Sequence, residues 1–354
     1  MARVLVYGAS GYTGELVARR AAERGLDVLL AGRREAPLSA LGRELGHPHA
    51  TFALEEATAL DAAVAGCDLV LHCAGPFVHT WRPMAAACLR ARRPYVDITG
   101  EPPVFEALAS LDARARSAGI VLLPGAGFDV VPADTLAAHL VRRLPSARGI
   151  AIGMRGFGTL SRGTARTALE SAASRRSALR SATRALRRRR GPPRTRTFTF
   201  QGGARTAVLV PTADAWAMRR STGVAGSAYY MVAPRALRVA LPLLTALAPF
   251  TPPLKSRVVR EIAVRLLTRG GPGPSAQERA RGTVELVGEA EDAAGTRVSS
   301  RLTVPHGYAL TALAAVEIAE RLLAAPPQPG FHTPSSALGP DLLLPLPGVS
   351  REDA

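Results

Sequence analysis

The sequence predicts an α/β chain in two parts: an N-terminal doubly wound parallel sheet, then an α+β domain containing an antiparallel sheet. Three observations carry this reading. Over about the first 145 residues, short apolar runs alternate with helical patterns, the rhythm of repeated βαβ units. A glycine-rich turn joins the first run to the first helical pattern. After Arg148 the rhythm changes to paired runs across short turns, as hairpins require.

The expected strands of the first part are Arg3–Tyr7, Asp27–Ala31, Ala50–Leu54, Asp68–His72, Tyr95–Ile98 and Ile120–Leu123. Their Val, Leu and Ile show no strict alternation, which fits strands covered on both faces. Helical patterns separate them at Gly14–Arg24, Ala36–Leu45, Ala57–Val64, Arg82–Arg92 and Pro103–Ser117, and a further one spans Ala133–Leu144. In the second part Gly149–Arg155 reads as a strand and Thr164–Arg190 as a helix. Thr197–Gln201 and Arg205–Val210 flank Gly202-Gly203, and Arg281–Ala290 and Arg297–Val304 flank Ala294-Gly295. Each pair reads as a hairpin. Ser227–Val232 is a further strand, Ala236–Ala248 a leucine-rich helix, and Tyr308–Ala324 a deeply buried final helix. The expected boundaries are therefore 1–147 for the first domain, 148–325 for a substrate domain, and 326–354 for a Pro/Gly-rich tail wrapped over the surface.

Composition narrows the class. The chain has 354 residues, 47% of them hydrophobic, enough for two cores. Cys67, Cys73 and Cys88 form neither a disulfide framework nor a metal-ligand spacing, so no metal is expected. The net charge of +17 is concentrated: eleven arginines and no acid fall between Ser171 and Ala213. No reader motif accompanies them, so no nucleic-acid partner is expected. No leader pattern precedes the first strand, and a reducing, cytoplasmic setting is expected. Val239–Phe250, broken by Pro242 and Pro249, falls short of the ~20 residues of a spanning helix. It leaves open a peripheral contact at the inner membrane face.

The most informative segment is Gly8-Ala9-Ser10-Gly11-Tyr12-Thr13-Gly14, between a strand and a helix. The first glycine lets the chain turn off the strand, the second admits a pyrophosphate to the backbone, and the third lets helix and sheet pack closely. The helix start then offers N–H groups and a positive dipole end to phosphates. This is a Rossmann dinucleotide turn in a GxxGxxG spacing. The second strand ends in Ala31-Gly32-Arg33-Arg34. An acid there would accept from a ribose 2′-hydroxyl; guanidinium groups match a 2′-phosphate instead, so NADP is the expected cofactor. Cys73-Ala74-Gly75-Pro76 ends the fourth strand with small residues that let a nucleoside lie against the backbone. Asp97–Glu101 and Pro124–Asp129 end the fifth and sixth at the same carboxyl edge.

These motifs resemble the saccharopine dehydrogenase-like oxidoreductases: Tyr7 to Gly14, Ala31-Gly32-Arg33, Cys73 to Phe77, Tyr95 to Glu101 and Gly127-Phe128-Asp129-Val130-Val131-Pro132. Ser161-Arg162-Gly163-Thr164, Ser221-Thr222-Gly223, Gly307 to Thr311 and Gly330 to Pro334 extend the resemblance over nearly the whole chain. Within that group the sequence is most similar to the bacterial trans-acting enoyl reductases. The resemblance implies an NADP-dependent reductase acting on a lipid or polyketide-type acceptor, a small molecule or a carrier-bound acyl group. Ser10 stands where threonine is common in the family, and Thr212-Ala213-Asp214 replaces a Gly-Asp turn, which puts a substrate role for Asp214 in doubt.

Hydride transfer asks the chain for position, dryness and a proton donor. A Tyr-x-x-x-Lys pair is excluded, because Lys255 is the sole lysine and Thr251 precedes it by four. The candidate donors are Asp129, Tyr308 and His79. Each has a structural alternative: a helix cap for Asp129, a core aromatic at a helix start for Tyr308, an exposed side chain for His79. Arg162 is a candidate for an acidic substrate group. Two other readings stay open, an amino-acid dehydrogenase like the family's namesake and a non-catalytic NADP-sensing regulator.

Overall fold

The computed structural model describes residues 2–156, 161, 194–210, 212–232 and 273–354. The expected helices Thr164–Arg190 and Ala236–Ala248, and the positions of Arg162 and Lys255, lie outside the described residues.

In chain order the first part comprises β1 (Arg3–Tyr7), α1 (Tyr12–Glu23), β2 (Asp27–Gly32), α2 (Glu35–Leu45), β3 (His49–Thr51), α3 (Ala57–Ala65), β4 (Leu69–His72), α4 (Phe77–Ala91), β5 (Tyr95–Asp97), α5 (Pro102–Ala109), α6 (Asp112–Ala118), β6 (Val121–Leu123) and α7 (Val131–Arg143). The second part comprises β7 (Ala147–Arg155), β8 (Thr195–Phe200), β9 (Gly203–Leu209), α8 (Ala213–Thr222), β10 (Gly226–Met231), α9 (Ala276–Arg281), β11 (Thr283–Asp292), β12 (Arg297–Pro305), α10 (Gly307–Ala324), β13 (Gly330–Phe331), α11 (Pro334–Leu338) and β14 (Ser350–Asp353).

The first sheet has the order β13-β6-β5-β4-β1-β2-β3, and every described pairing in it is parallel. The order reverses between β1 and β4, so a crevice opens there beyond their carboxyl ends. One face packs on α1, α2 and α10 and the other on α3 to α6, which explains the unalternated strands: Val4, Leu5, Val6, Leu69, Val70 and Leu71 are all fully buried. The second sheet has the order β14-β12-β11-β7-β10-β9-β8 and covers one face with α7. It is mixed rather than purely antiparallel, because β7 and β10 run parallel in register from Gly149↔Gly226 to Met154↔Met231.

Several boundaries differ from expectation for identifiable reasons. α4 begins at Phe77, not Arg82: the Glu101 carboxylate accepts from the N–H groups of Phe77 (2.8 Å) and Val78 (2.9 Å), satisfying the first turn from outside the helix. The expected Pro103–Ser117 helix is two helices. The Ser110 hydroxyl folds back on the Ala107 carbonyl, and α6 restarts at Asp112, whose carboxylate is drawn to Arg116 and to the N–H of Phe331. α8 and α9 carry no expectation above. α9 has only six residues, though its Ser275/Glu278 capping box is a readable signal.

The C-terminal segments are the largest difference. α10 returns to the first part and packs on α1 and β4, with Arg24 and Glu320 paired at 3.1 Å across the helices. The 326–354 stretch is not a surface wrap. Gly330–Phe331 adds a parallel strand to β6, Ser350–Asp353 adds an antiparallel one to β12, and Leu342 and Leu343 are buried between them. Extended Pro/Gly-rich chain suits a sheet edge as well as a surface, and only the apolar residues distinguish the two. Phe331 packs edge-on to Trp216 (5.7 Å), which also meets Phe105 (5.4 Å), so one ring of α8 ties β13 to α5. Phe331→Ala is therefore expected to lower the unfolding free energy by about 3 kcal/mol in urea titration. A loss under about 0.5 kcal/mol would return this segment to the surface.

Candidate functional site

The glycine turn is built by close approach. Gly8 sits at φ +88°, and its N–H donates 2.7 Å to the Ala31 carbonyl, tying the end of β1 to the end of β2. A Cβ on Gly8 would lie 2.9 Å from the Ala74 Cβ at the end of β4. A Cβ on Gly14 would stand 2.1 Å from the Gly8 carbonyl oxygen. Any side chain at either place would push α1 off the strand end. With α1 seated, Gly11 caps it without a side-chain bond, and the first intrahelical bond runs from Glu15 N–H to the Gly11 carbonyl. The N–H groups of Tyr12, Thr13 and Gly14 therefore face the crevice without helical acceptors, as a diphosphate requires.

At the end of β2, Arg33 and Arg34 are exposed. Arg34 donates 2.7 Å to the Ser10 carbonyl, so one guanidinium is fastened to the glycine turn. Glu35, the nearest acid, is occupied elsewhere: it accepts from His49 (2.8 Å) and from the Thr51 hydroxyl, bonds that hold its carboxyl below the usual range. The corner thus presents two cations, and its acid is turned towards β3. That is a fit for a 2′-phosphate.

The polar strand ends at β4 and β5 are mostly braces. Asp97 is fully buried, which raises its carboxyl to about 6 although it accepts from the Tyr95 hydroxyl (2.6 Å), Thr99 N–H (2.9 Å) and Gly125 N–H (3.0 Å). Glu101 holds the first turn of α4. His72, buried and bonded to the Thr80 hydroxyl at 3.0 Å, is driven by burial to about 3 and stays neutral. Cys73 reaches partial exposure at the end of β4, but its surroundings push the thiol up to about 12, so it offers a small surface and no thiolate.

Asp129 differs. The residue is exposed, yet the protein packed around its carboxyl raises it to about 6. Among the described residues nothing donates a hydrogen bond to it. Gly100 makes room for it, since a Cβ there would lie 2.9 Å from the Asp129 Cβ and 3.0 Å from Oδ2. The helix-cap alternative fails, as α7 shows no side-chain cap. Beneath it Asp214 is buried and pushed well above its ordinary range, first by desolvation and then by the charge of Asp129. Asp214 is buried, at 3% exposure.

Tyr308 enters from α10. Its hydroxyl accepts from Ser161 N–H at 2.6 Å, and its ring stands edge-on to Tyr12 at 5.1 Å. Next to it Phe128 N–H donates 3.0 Å to the Thr311 hydroxyl, and Gly307 lies against the Phe128 ring. The start of α10 therefore touches both the glycine turn and the Asp129 loop. His79 is exposed on the first turn of α4, the turn held by Glu101, and no described contact joins it to Asp129 or Tyr308. Sequence reasoning missed Arg279, whose Nη1 donates 2.8 Å to the Tyr12 hydroxyl; its sequence signal was only the capping box ahead of it. No group of metal ligands occurs among the described residues.

A glycine turn at the switch point, free helix N–H groups and a cationic ribose corner define a dinucleotide-binding Rossmann domain. Residues 4–123 match the family model of the saccharopine dehydrogenase NADP binding domain, and the N-terminal domain is an NADP-binding domain of that family. A trans-acting enoyl reductase of Mycobacterium tuberculosis is 33% identical over 150 residues, 40% of this chain and 35% of that protein. One from Mycobacterium ulcerans is 31% identical over the same shares. The matched stretch thus spans about a third of the length of these curated relatives. Saccharopine dehydrogenase (L-Glu forming) from Saccharomyces cerevisiae shares the fold over 100% of both chains, with a TM-score of 0.61 at 14% identity.

The ribose corner has a direct test. Replacing Arg33 and Arg34 together by glutamine should weaken NADPH binding about tenfold to a hundredfold, the worth of one or two charge-assisted bonds. NADH binding should change by no more than about threefold. Equal weakening of both in fluorescence titration would remove the 2′-phosphate from this corner.

Proposed function

We propose that the chain is an NADP(H)-dependent reductase of the enoyl type, acting on a lipid or polyketide-type acyl group presented by a carrier. The observation that carries this reading is the shared edge: the diphosphate cradle and a protonatable carboxyl that reaches solvent stand at the carboxyl ends of strands of one sheet. The names of the mycobacterial relatives support the choice of acceptor. NADPH, when bound, supplies the hydride.

The chain's own residues do the rest. Gly8, Ser10, Gly11, Tyr12, Thr13 and Gly14 seat the diphosphate on the start of α1, Arg33 and Arg34 take the 2′-phosphate, and Cys73, Ala74, Gly75 and Pro76 let the nucleoside lie against the backbone. Asp129 holds the proton that an acceptor carbon or oxygen gains after hydride arrives, and Gly100 gives it room. Desolvation alone raises the Asp129 carboxyl, and Asp214 is itself held protonated, by desolvation and then by the charge of Asp129. Tyr308 fixes the start of α10 over the crevice through Ser161 and Tyr12. His79, on the outer rim, is the alternative donor.

A donor must be protonated to act, and the Asp129 carboxyl is raised to about 6. Activity limited by proton delivery is therefore greatest below about pH 6 and falls about tenfold per unit above it. Asp129→Asn should flatten this profile and lower turnover by about 10²- to 10⁴-fold while NADPH binding persists. An unchanged profile in Asp129→Asn, with loss of the profile in His79→Gln, would move the donor to His79. Consumption of NADPH with a carrier-linked enoyl thioester supports the acceptor class; consumption only with saccharopine-type substrates would replace it by an amino-acid dehydrogenase.

No helix among the described residues is long and apolar enough to cross a membrane. A lipid-like acceptor and a contact with the inner membrane face instead rest on the leucine-rich sequence Ala236–Phe250. Removing that segment should weaken turnover of long-chain acceptors at least about tenfold more than that of short ones, and equal loss on both would dissociate it from lipid.

A further inference from the structure

The turn that receives the diphosphate is not made by the first domain alone. The segment ahead of α9 crosses over it so closely that a Cβ on Gly273 would stand 2.8 Å from the Tyr12 ring. α9 then lays the Arg279 guanidinium over the same ring, 5.6 Å from its centroid. Nη1 donates 2.8 Å to the Tyr12 hydroxyl and 2.8 Å to the Pro274 carbonyl. Both acceptors are neutral. Arg279 is half-buried, and among the described residues no carboxylate pairs with it.

A guanidinium keeps its charge at every pH a protein meets and carries five donors in a fixed fork. The described bonds use one nitrogen, leaving Nη2 and Nε to spare. The exposed part of the fork keeps its charge and its spare donors available to an anion. Tyr12, whose ring it covers, is also the first residue of α1 and contributes its backbone N–H to the diphosphate cradle. Charge, spare donors and position therefore converge on one ligand chemistry. We propose that Arg279 is a diphosphate ligand, so that the cofactor site is completed by the second part of the chain. This rests on the reading of the α1 start as the NADP site.

Isothermal titration of the full chain tests this, with NADPH at low and high salt and with adenosine 2′-monophosphate, which has the 2′-phosphate but no diphosphate. R279Q is expected to weaken NADPH at least about tenfold. It should flatten the salt dependence and leave adenosine 2′-monophosphate within about twofold. R279K should fall between wild type and R279Q, and Y12F, which removes a neutral acceptor and keeps the cation, should weaken NADPH less than R279Q does. R279A replaces R279Q should that variant not fold. Equal losses in R279Q and Y12F would make Arg279 a brace for the ring and overturn the assignment, as would a loss for adenosine 2′-monophosphate as large as that for NADPH. Wild type that binds NADPH alongside an unchanged R279Q overturns this assignment alone; wild type that binds no NADPH overturns the cofactor reading with it.

Discussion

The absence of a side chain at Gly14 is the constraint from which the rest of the site follows. A carbon atom there would stand 2.1 Å from the Gly8 carbonyl oxygen. Because it is missing, the first turn of α1 rests directly on the end of β1, and its unbonded N–H groups open onto the switch point between β1 and β4. The position of α1 then fixes that of α10, which packs along it. α10 in turn brings Tyr308 to Tyr12 and Thr311 to Phe128, so the loop that carries Asp129 is set by a helix more than 180 residues away in sequence. One backbone contact thus orders a crevice built from both ends of the chain.

Carboxyl groups at that edge divide their labour according to partners. Asp97 accepts three hydrogen bonds and Glu101 two from the backbone of α4, and both are spent on holding loops. Asp129 stands among them with crowding but without donors, and reaches solvent. The same residue type is a brace where the surroundings supply N–H groups, and a carboxyl with a raised proton affinity where they do not. Asp214 illustrates the third outcome: buried, it is held in its protonated form by desolvation and then by the charge of Asp129. The corner at the end of β2 follows the same logic with the opposite sign, since Glu35 is engaged by His49 and Thr51 while Arg33 and Arg34 stay exposed.

The first sheet was legible because its cause is local: apolar runs, helix periods and the glycine turn each act within a few residues, and β1, β2 and β4 fall within a residue or so of the expected bounds. The start of α4 was not legible, because the group that satisfies it, Glu101, lies 24 residues from Phe77. The tail was misread for a similar reason. Gly330–Phe331 has no strand period of its own, and its pairing partner β6 is about two hundred residues earlier. Within the site, the glycine turn could be read in advance because its residues are contiguous. Arg279, the edge-on meeting of Tyr12 and Tyr308, and the room that Gly100 leaves for Asp129 are products of tertiary approach, which no spacing in the sequence encodes.

The central claim is that the strand-end turn and its arginine corner hold a dinucleotide bearing a 2′-phosphate. Calorimetric titration of the wild-type chain with NADPH and with NADH measures this without assuming an acceptor. The account predicts one site per chain, with NADPH bound at least about tenfold more tightly than NADH. Heat with neither, or equal affinity for both, would contradict it.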